Sequence, residues 1–211
     1  ACADGHVLLC HRLRFMGIDT PGALQESWTV PADAVHRIPP SLPLDRAALI
    51  EPLAVAVHAA RRGDPQAGQR AVVLGAGPIG LLAALALRRQ GIEAMLVEPN
   101  PARRELASEL GFAITDCGAD GLAAAVAAWT GDAGADLVIE ASGSADSAAH
   151  MTTLARARGR VVVVSIFTHP TPVDLHRLFW REVEVRGARV YERADFDRAV
   201  ELAAAGAIPL D

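Results

Sequence analysis

Apolar positions in this chain follow two different rhythms. Between about residues 70 and 186, short unbroken apolar runs alternate with longer stretches of helical character. The runs at 71–74, 94–97, 112–115, 136–141, 160–166 and 182–186 read as strands, and 160–166 (RVVVVSI) is the most β-like of them. The intervening segments at 78–90, 101–110, 122–130, 146–157 and 175–180 read as helices, with Gly91, Gly111, Gly131 and Gly159 as stops for the first four. Upstream the rhythm is weaker. Residues 1–22 read as loop, 23–30 has strand-like patterning closed by Pro31, and 35–40 is a short extended piece. Pro39, Pro40 and Pro43 mark a linker. Asp45 is placed to cap a largely apolar helix from 46 to about 62, whose polar exceptions are Glu51 and His58. Near the end, 194–205 reads as an amphipathic helix with Phe196 and Val200 turned inward.

Strands alternating with helices predict an α/β fold: a doubly wound, parallel, six-stranded sheet with helices on both faces. Continuously apolar strands fit burial on both sides. Ligands of such sheets bind beyond the carboxyl ends of the strands, a rim that gathers 75–80, Glu98, 141–143 and 164–166. Ser142 and Ser165 on this rim serve equally well as ordinary turn residues.

The stretch 70–98 carries the most specific chemistry. A strand runs into Gly75, Gly77 and Gly80 in the order G-x-G-x-x-G, a helix follows, and a second strand ends in Glu98. Gly75 permits a sharp turn, Gly77 lets a pyrophosphate approach the backbone, and Gly80 lets the helix pack closely. The helix N-terminus presents unpaired N–H groups to phosphate, and Pro78 loses nothing in that first turn. Glu98 can accept hydrogen bonds from the ribose hydroxyls and would repel a 2′-phosphate, which favours NAD over NADP. A membrane span over 71–87 is shorter than the ~20 residues needed and is broken by Gly-Pro. A methyltransferase is the remaining user of such a turn and strand-end acid.

Composition narrows the setting. The chain has 211 residues, 51% hydrophobic, with a formal net charge of -5. That leaves no basic footprint for nucleic acid, and no basic amphipathic stretch for a membrane surface. Cys2, Cys10 and Cys117 are too few and too irregularly placed for a disulfide framework, so a cytoplasmic setting is expected. Cys2 and Cys10 alone read either as ordinary thiols or as part of a metal site, since a structural zinc needs four ligands. Glu51, beside Pro52 in an apolar run, must pair or ligate something unless it lies on the helix surface. His58 reads as a packing histidine. The start at Ala1 and the stop at residues 208–211, just after a helix-like run, suggest a fragment.

Assembled, these residues resemble the zinc-dependent medium-chain dehydrogenase/reductases, in particular the sorbitol, threonine and butanediol dehydrogenase branches. The resemblance covers almost the whole chain. It rests on IEPLAVAVHA (50–59), GAGPIG (75–80), EPNPARRELA (98–107) and the Cys2/Cys10 spacing. It implies a Rossmann domain over 47–190 and remnants of a GroES-like, β-rich catalytic domain over 1–46. Residues 191–211 would begin the return to that catalytic domain. It implies that Cys2 and Cys10 belong to a structural-zinc lobe and that Glu51 sits beside a catalytic zinc. It places Gly75, Gly77, Pro78, Ile79, Gly80, Glu98, Arg103 and Ser142 at the cofactor, with Val164, Ser165 and Ile166 along the nicotinamide. The implied activity is NAD-linked oxidation of a secondary alcohol or polyol to a ketone by a homo-oligomeric enzyme, the fragment alone being inactive. The alternatives are a zinc-free NADPH quinone reductase of the same superfamily, or a dinucleotide-binding fragment without catalysis.

Overall fold

The computed structural model describes residues 5–116 and 119–209, so Cys2 and Cys117 lie outside the described residues. Two helices, α1 (Leu44–Ala47) and α2 (Ile50–Arg62), lead into the central strand β1 (Arg70–Leu74). There follow α3 (Pro78–Arg88), β2 (Glu93–Val97), α4 (Pro101–Glu109), β3 (Ala113–Thr115), α5 (Ala119–Thr130) and β4 (Ala135–Glu140). The chain continues through α6 (Ala145–Leu154), β5 (Ala155–Val163), α7 (Leu175–Arg181), β6 (Glu184–Gly187) and α8 (Arg193–Ala204). The six strands form one parallel sheet in the order β3-β2-β1-β4-β5-β6.

Alternate side chains of the central strands enter two separate cores, which is why those strands carry no polar phase. Ala71 and Val73 of β1, with Leu137 and Ile139 of β4, pack against α2, α3 and α8 through Leu53, Leu82, Leu85 and Leu202. Val72, Leu74 and Val138 face the other way, into Leu122 and Val126 of α5 and Met151 and Leu154 of α6.

Three expectations need correction. The helix expected over 46–62 is broken into two, and Asp45 lies inside the one-turn α1 instead of capping a long helix. Pro52 explains the break, because a helix running through it would lose a hydrogen bond and push the ring against the Ala48 carbonyl. Starting α2 at Ile50 puts Pro52 in the first turn, where no N–H is needed. The strand expected at 23–30 is absent: the segment forms bends and irregular backbone, and Leu24 and Trp28 are exposed. Residues 155–159, expected as the end of a helix stopped by Gly159, open β5 instead. Ala135 pairs with Ala155 but Leu137 pairs with Arg160, so residues 156–159 bulge out of register. Arg158 there has φ of 56°, and a Cβ on Gly159 would meet the Ala135 carbonyl oxygen at 3.0 Å.

A buried polar joint fastens α8 to α2. Asp195 is 2% exposed. One carboxylate oxygen lies 2.7 Å from His58 Nδ1, and Arg61 donates to both oxygens at 2.7 and 3.0 Å. The backbone N–H of Glu192 adds a fourth contact at 2.9 Å. Burial pushes this carboxyl pKa up, but the Arg61 hydrogen bonds, the Glu192 N–H and His58 outweigh it and hold it below the ordinary value. His58 is therefore the packing histidine expected, with its partner now identified.

Asp195→Asn is expected to destabilise the chain by about 3 kcal/mol, the typical cost of breaking a buried charge pair, as measured by urea denaturation. The depressed folded value makes this contribution complete above the unfolded aspartate value of about 4. It is lost as pH falls through the lower folded value. Wild type should accordingly lose stability more steeply than the variant on acidification below about pH 4.

Candidate functional site

The strand order reverses between β1 and β4, and the carboxyl ends of those two strands open a crevice. On the β1 side the chain turns at Gly75, whose φ of 98° suits a residue without a Cβ. Gly77 is the N-cap of α3 and Pro78 its first residue, and no side chain caps the helix. The first-turn N–H groups and the positive end of the helix dipole are thus left for an anion. Gly80 is fixed by contact with the turn itself, because a Cβ there would lie 2.0 Å from the Gly75 carbonyl oxygen. A Cβ on Gly77 would meet only Arg103 Nη1, at 3.8 Å.

Glu98 sits just past β2 and is 3% exposed. Its carboxylate accepts from the backbone N–H of Ala76 at 2.8 Å and of Asn100 at 2.9 Å. An ionised carboxylate offers about four acceptor sites, so roughly two remain for a ligand. The residue therefore ties the glycine turn to the end of β2 as well as facing the crevice. Arg103 Nη1 stands 3.7 Å from the same carboxylate, while Arg104 is spent on the carbonyls of Glu98 and Pro99. Asn100 caps α4 by accepting from the Arg103 N–H, which fixes where Arg103 starts.

The opposite wall comes from the turn after β4 and the first turn of α6. Together the walls enclose about 280 Å³, lined by Gly75, Gly77, Glu98, Arg103, Ser142 and Ser147 among others. Val164, Ser165 and Ile166 do not line this cavity. They lie beside it, where a Cβ on Gly143 would be 3.6 Å from that of Ser165 and 3.4 Å from the Ile166 carbonyl. Ile166 is exposed and Ile79 half-buried. A larger cavity, about 510 Å³, lies elsewhere, between Val7, Leu9, His58 and Arg62, and includes none of the glycine-turn residues.

Glu51 is exposed in the first turn of α2 and lies near the half-buried Tyr191. Burial first, then the charge and hydrogen bond of Glu51, push the phenol pKa up to about 12. Cys10 is half-buried, its Sγ accepting from the Arg12 N–H at 3.4 Å. Among the described residues no three His, Cys, Asp or Glu side chains converge as a metal site. One group escaped the sequence reading. Glu140, at the end of β4, is wholly buried, and the signal was an acid directly after the apolar run Leu137, Val138 and Ile139.

A sheet wound in two directions from β1 and β4, with a glycine turn and an acid at the reversal, is the architecture of the α/β proteins that bind mono- or dinucleotides at that point. The family model for zinc-binding dehydrogenases matches residues 78–205. The chain belongs to that family. It is 49% identical over 209 residues to 2-dehydro-3-deoxy-L-galactonate 5-dehydrogenase of Pseudoalteromonas atlantica, covering 99% of this chain and 61% of that one. It is 35% identical over 202 residues to (R,R)-butanediol dehydrogenase of Neisseria gonorrhoeae, covering 94% and 57%. A zinc-binding dehydrogenase structure from Sinorhizobium meliloti 1021, bound to NADP, superposes with a TM-score of 0.91 at 32% identity, covering 98% of this chain and 62% of that one. The chain thus spans about 60% of the length of the curated relatives it matches. No helix among the described residues is long and apolar enough to cross a membrane.

The two glycines predict opposite behaviour. Gly80→Ala should lower stability by about 1–3 kcal/mol through overpacking and lose dinucleotide binding with it. Gly77→Ala should keep its melting temperature and lose affinity alone. Thermal denaturation beside calorimetric titration distinguishes the two.

Proposed function

We propose that this chain is the cofactor-holding part of an NAD-linked oxidoreductase that converts a secondary alcohol or polyol to a ketone. The convergence of Gly75, Gly77 and Glu98 on one crevice beneath the uncapped N-terminus of α3 carries this reading. Gly75, Gly77, Pro78, Ile79 and Gly80 take the pyrophosphate, Glu98 the ribose and Arg103 the adenine end. Ser142 lies on the far wall, with Val164, Ser165 and Ile166 along the nicotinamide. The cofactor supplies the hydride acceptor, and the protein orients it. The names of the two curated relatives, one for a sugar acid and one for a vicinal diol, support a polyhydroxylated substrate.

Zinc enters this reading as a property of the family. The described residues do not fit a complete metal centre, so no step is assigned to one. Glu51 is proposed as one carboxylate beside a catalytic metal, and Cys10 with Cys2 as half of a structural-zinc lobe. Residues 1–46 and 191–211 are assigned to the catalytic unit and 47–190 to the cofactor domain of a cytoplasmic enzyme.

A homo-oligomer is supported by the free edge of the sheet. β6 is the last strand and exposes Val185, while α7 exposes Leu175, Trp180 and Phe179, the last at 72%. A second copy pairing along that edge would cover Val185. Sedimentation should show an oligomer that Val185→Lys dissociates while leaving the fold intact.

Calorimetry tests the cofactor. NAD should bind about tenfold or more tightly than NADP, since hydrogen bonds to a charged group contribute about 1.5–3 kcal/mol. Glu98→Ala should erase that preference by lowering NAD affinity. A well-folded sample that binds neither dinucleotide would sink the proposal.

A further inference from the structure

Glu140 is 0% exposed and makes no ion pair among the described residues. Its charge is held by neutral donors alone. One carboxylate oxygen accepts from the backbone N–H groups of Ser142 and Gly143, both at 3.0 Å, and from the hydroxyls of Ser142 and Ser147, both at 2.7 Å. The other oxygen accepts from the Ser165 hydroxyl. Its main-chain carbonyl accepts from the N–H groups of Val164 and Ser165, at 3.0 and 3.3 Å. This one residue therefore joins the turn after β4, the first turn of α6 and the end of β5.

Withdrawing a carboxylate from water without a cation is costly, and an apolar side chain would pack the end of β4 at less expense. The five donors offset part of that cost and keep the charge in a region from which water is excluded. A charge so placed acts at longer range than one at the surface. The segments it organises are the wall holding Ser142 and Ser147 and the strand end at 164–166. The proposal for the dinucleotide puts the nicotinamide against that strand end.

We infer that Glu140 is a positioning residue for the cofactor: it shapes the nicotinamide side of the crevice, and its buried negative charge favours the oxidised ring over the reduced one. This rests on the dinucleotide reading above. The oxidised ring is a cation. When hydride arrives with its electron pair the ring becomes neutral, so a nearby anion interacts favourably with the first form and hardly with the second. A donor network serving only to hold the loops would not distinguish the two.

The test is calorimetric titration of the chain with NAD+, NADH and ADP-ribose. In Glu140→Gln the amide oxygen can take over the four donors on one side while its NH2 donates to Ser165, so hydrogen bonding survives neutralisation. Its NAD+ affinity should fall relative to NADH on the order of tenfold, with ADP-ribose affinity unchanged. Ser165→Ala keeps the charge, so its NAD+/NADH ratio should match wild type even if both affinities drop. Should Glu140→Gln not fold, Ser147→Lys sets a cation beside the same oxygen and should shift the ratio in the same direction. An unchanged ratio in whichever of these two folds overturns the inference. Wild-type protein that binds none of the three ligands would instead remove the dinucleotide reading, and this inference with it.

Discussion

The reversal of strand order between β1 and β4 is the constraint from which the rest follows. β2 lies to one side of β1 and β5 to the other side of β4, so the connections leave the shared boundary in opposite directions. α3 packs on one face of the sheet, while α5 and α6 pack on the other. A cleft at the ends of those two strands is a product of topology before any side chain is chosen. The side chains then decide what the cleft can hold: a bare helix terminus and a half-satisfied acid on one wall, small hydroxyls and a hidden carboxylate behind the other.

The fold was legible because its core elements satisfy a strong local rule. Strands buried on both faces are apolar nearly throughout, and α3, α4 and α5 each run out at a nearby glycine, so β1, β2, β4 and α3 stand out without a partner in view. The errors fell where local rules compete. At 46–62 the apolar periodicity outweighed Pro52, although the ring alone forbids an unbroken helix. At 155–159 Gly159 read as a helix stop, whereas it relieves a crowded bulge in β5. At 23–30 alternation suggested a strand, but a strand exists only by pairing, and this segment has no such neighbour among the described residues.

The site was legible by halves. The glycine turn announces itself because each glycine answers a different steric demand, and the structure shows the tightest of these at Gly80. Glu98 was visible by its distance along the chain, yet its bonds to Ala76 and Asn100 were not, since they arise only when β1 and β2 lie side by side. Glu140 was hidden for the same reason. Four donors to its carboxylate, two backbone N–H groups and two hydroxyls, come from residues within seven positions, but Ser165 is 25 residues away and reaches it only through the sheet. Family membership now explains why these features occur together; it does not replace the contacts that make them work.

The joint between α2 and α8 has a mechanical corollary. Polar contacts join α2 to the start of α8 at two residues one turn apart, His58 with Asp195 and Arg61 with Asp195 and Glu192, while Tyr191 just before α8 lies near Glu51 at the other end of α2. One attachment would leave a pivot; two make a splint. The segment entering α8 therefore cannot turn about α2 without breaking a buried contact at Asp195, and the stretch that carries Tyr191 past Glu51 is held in place from the far end of the pair.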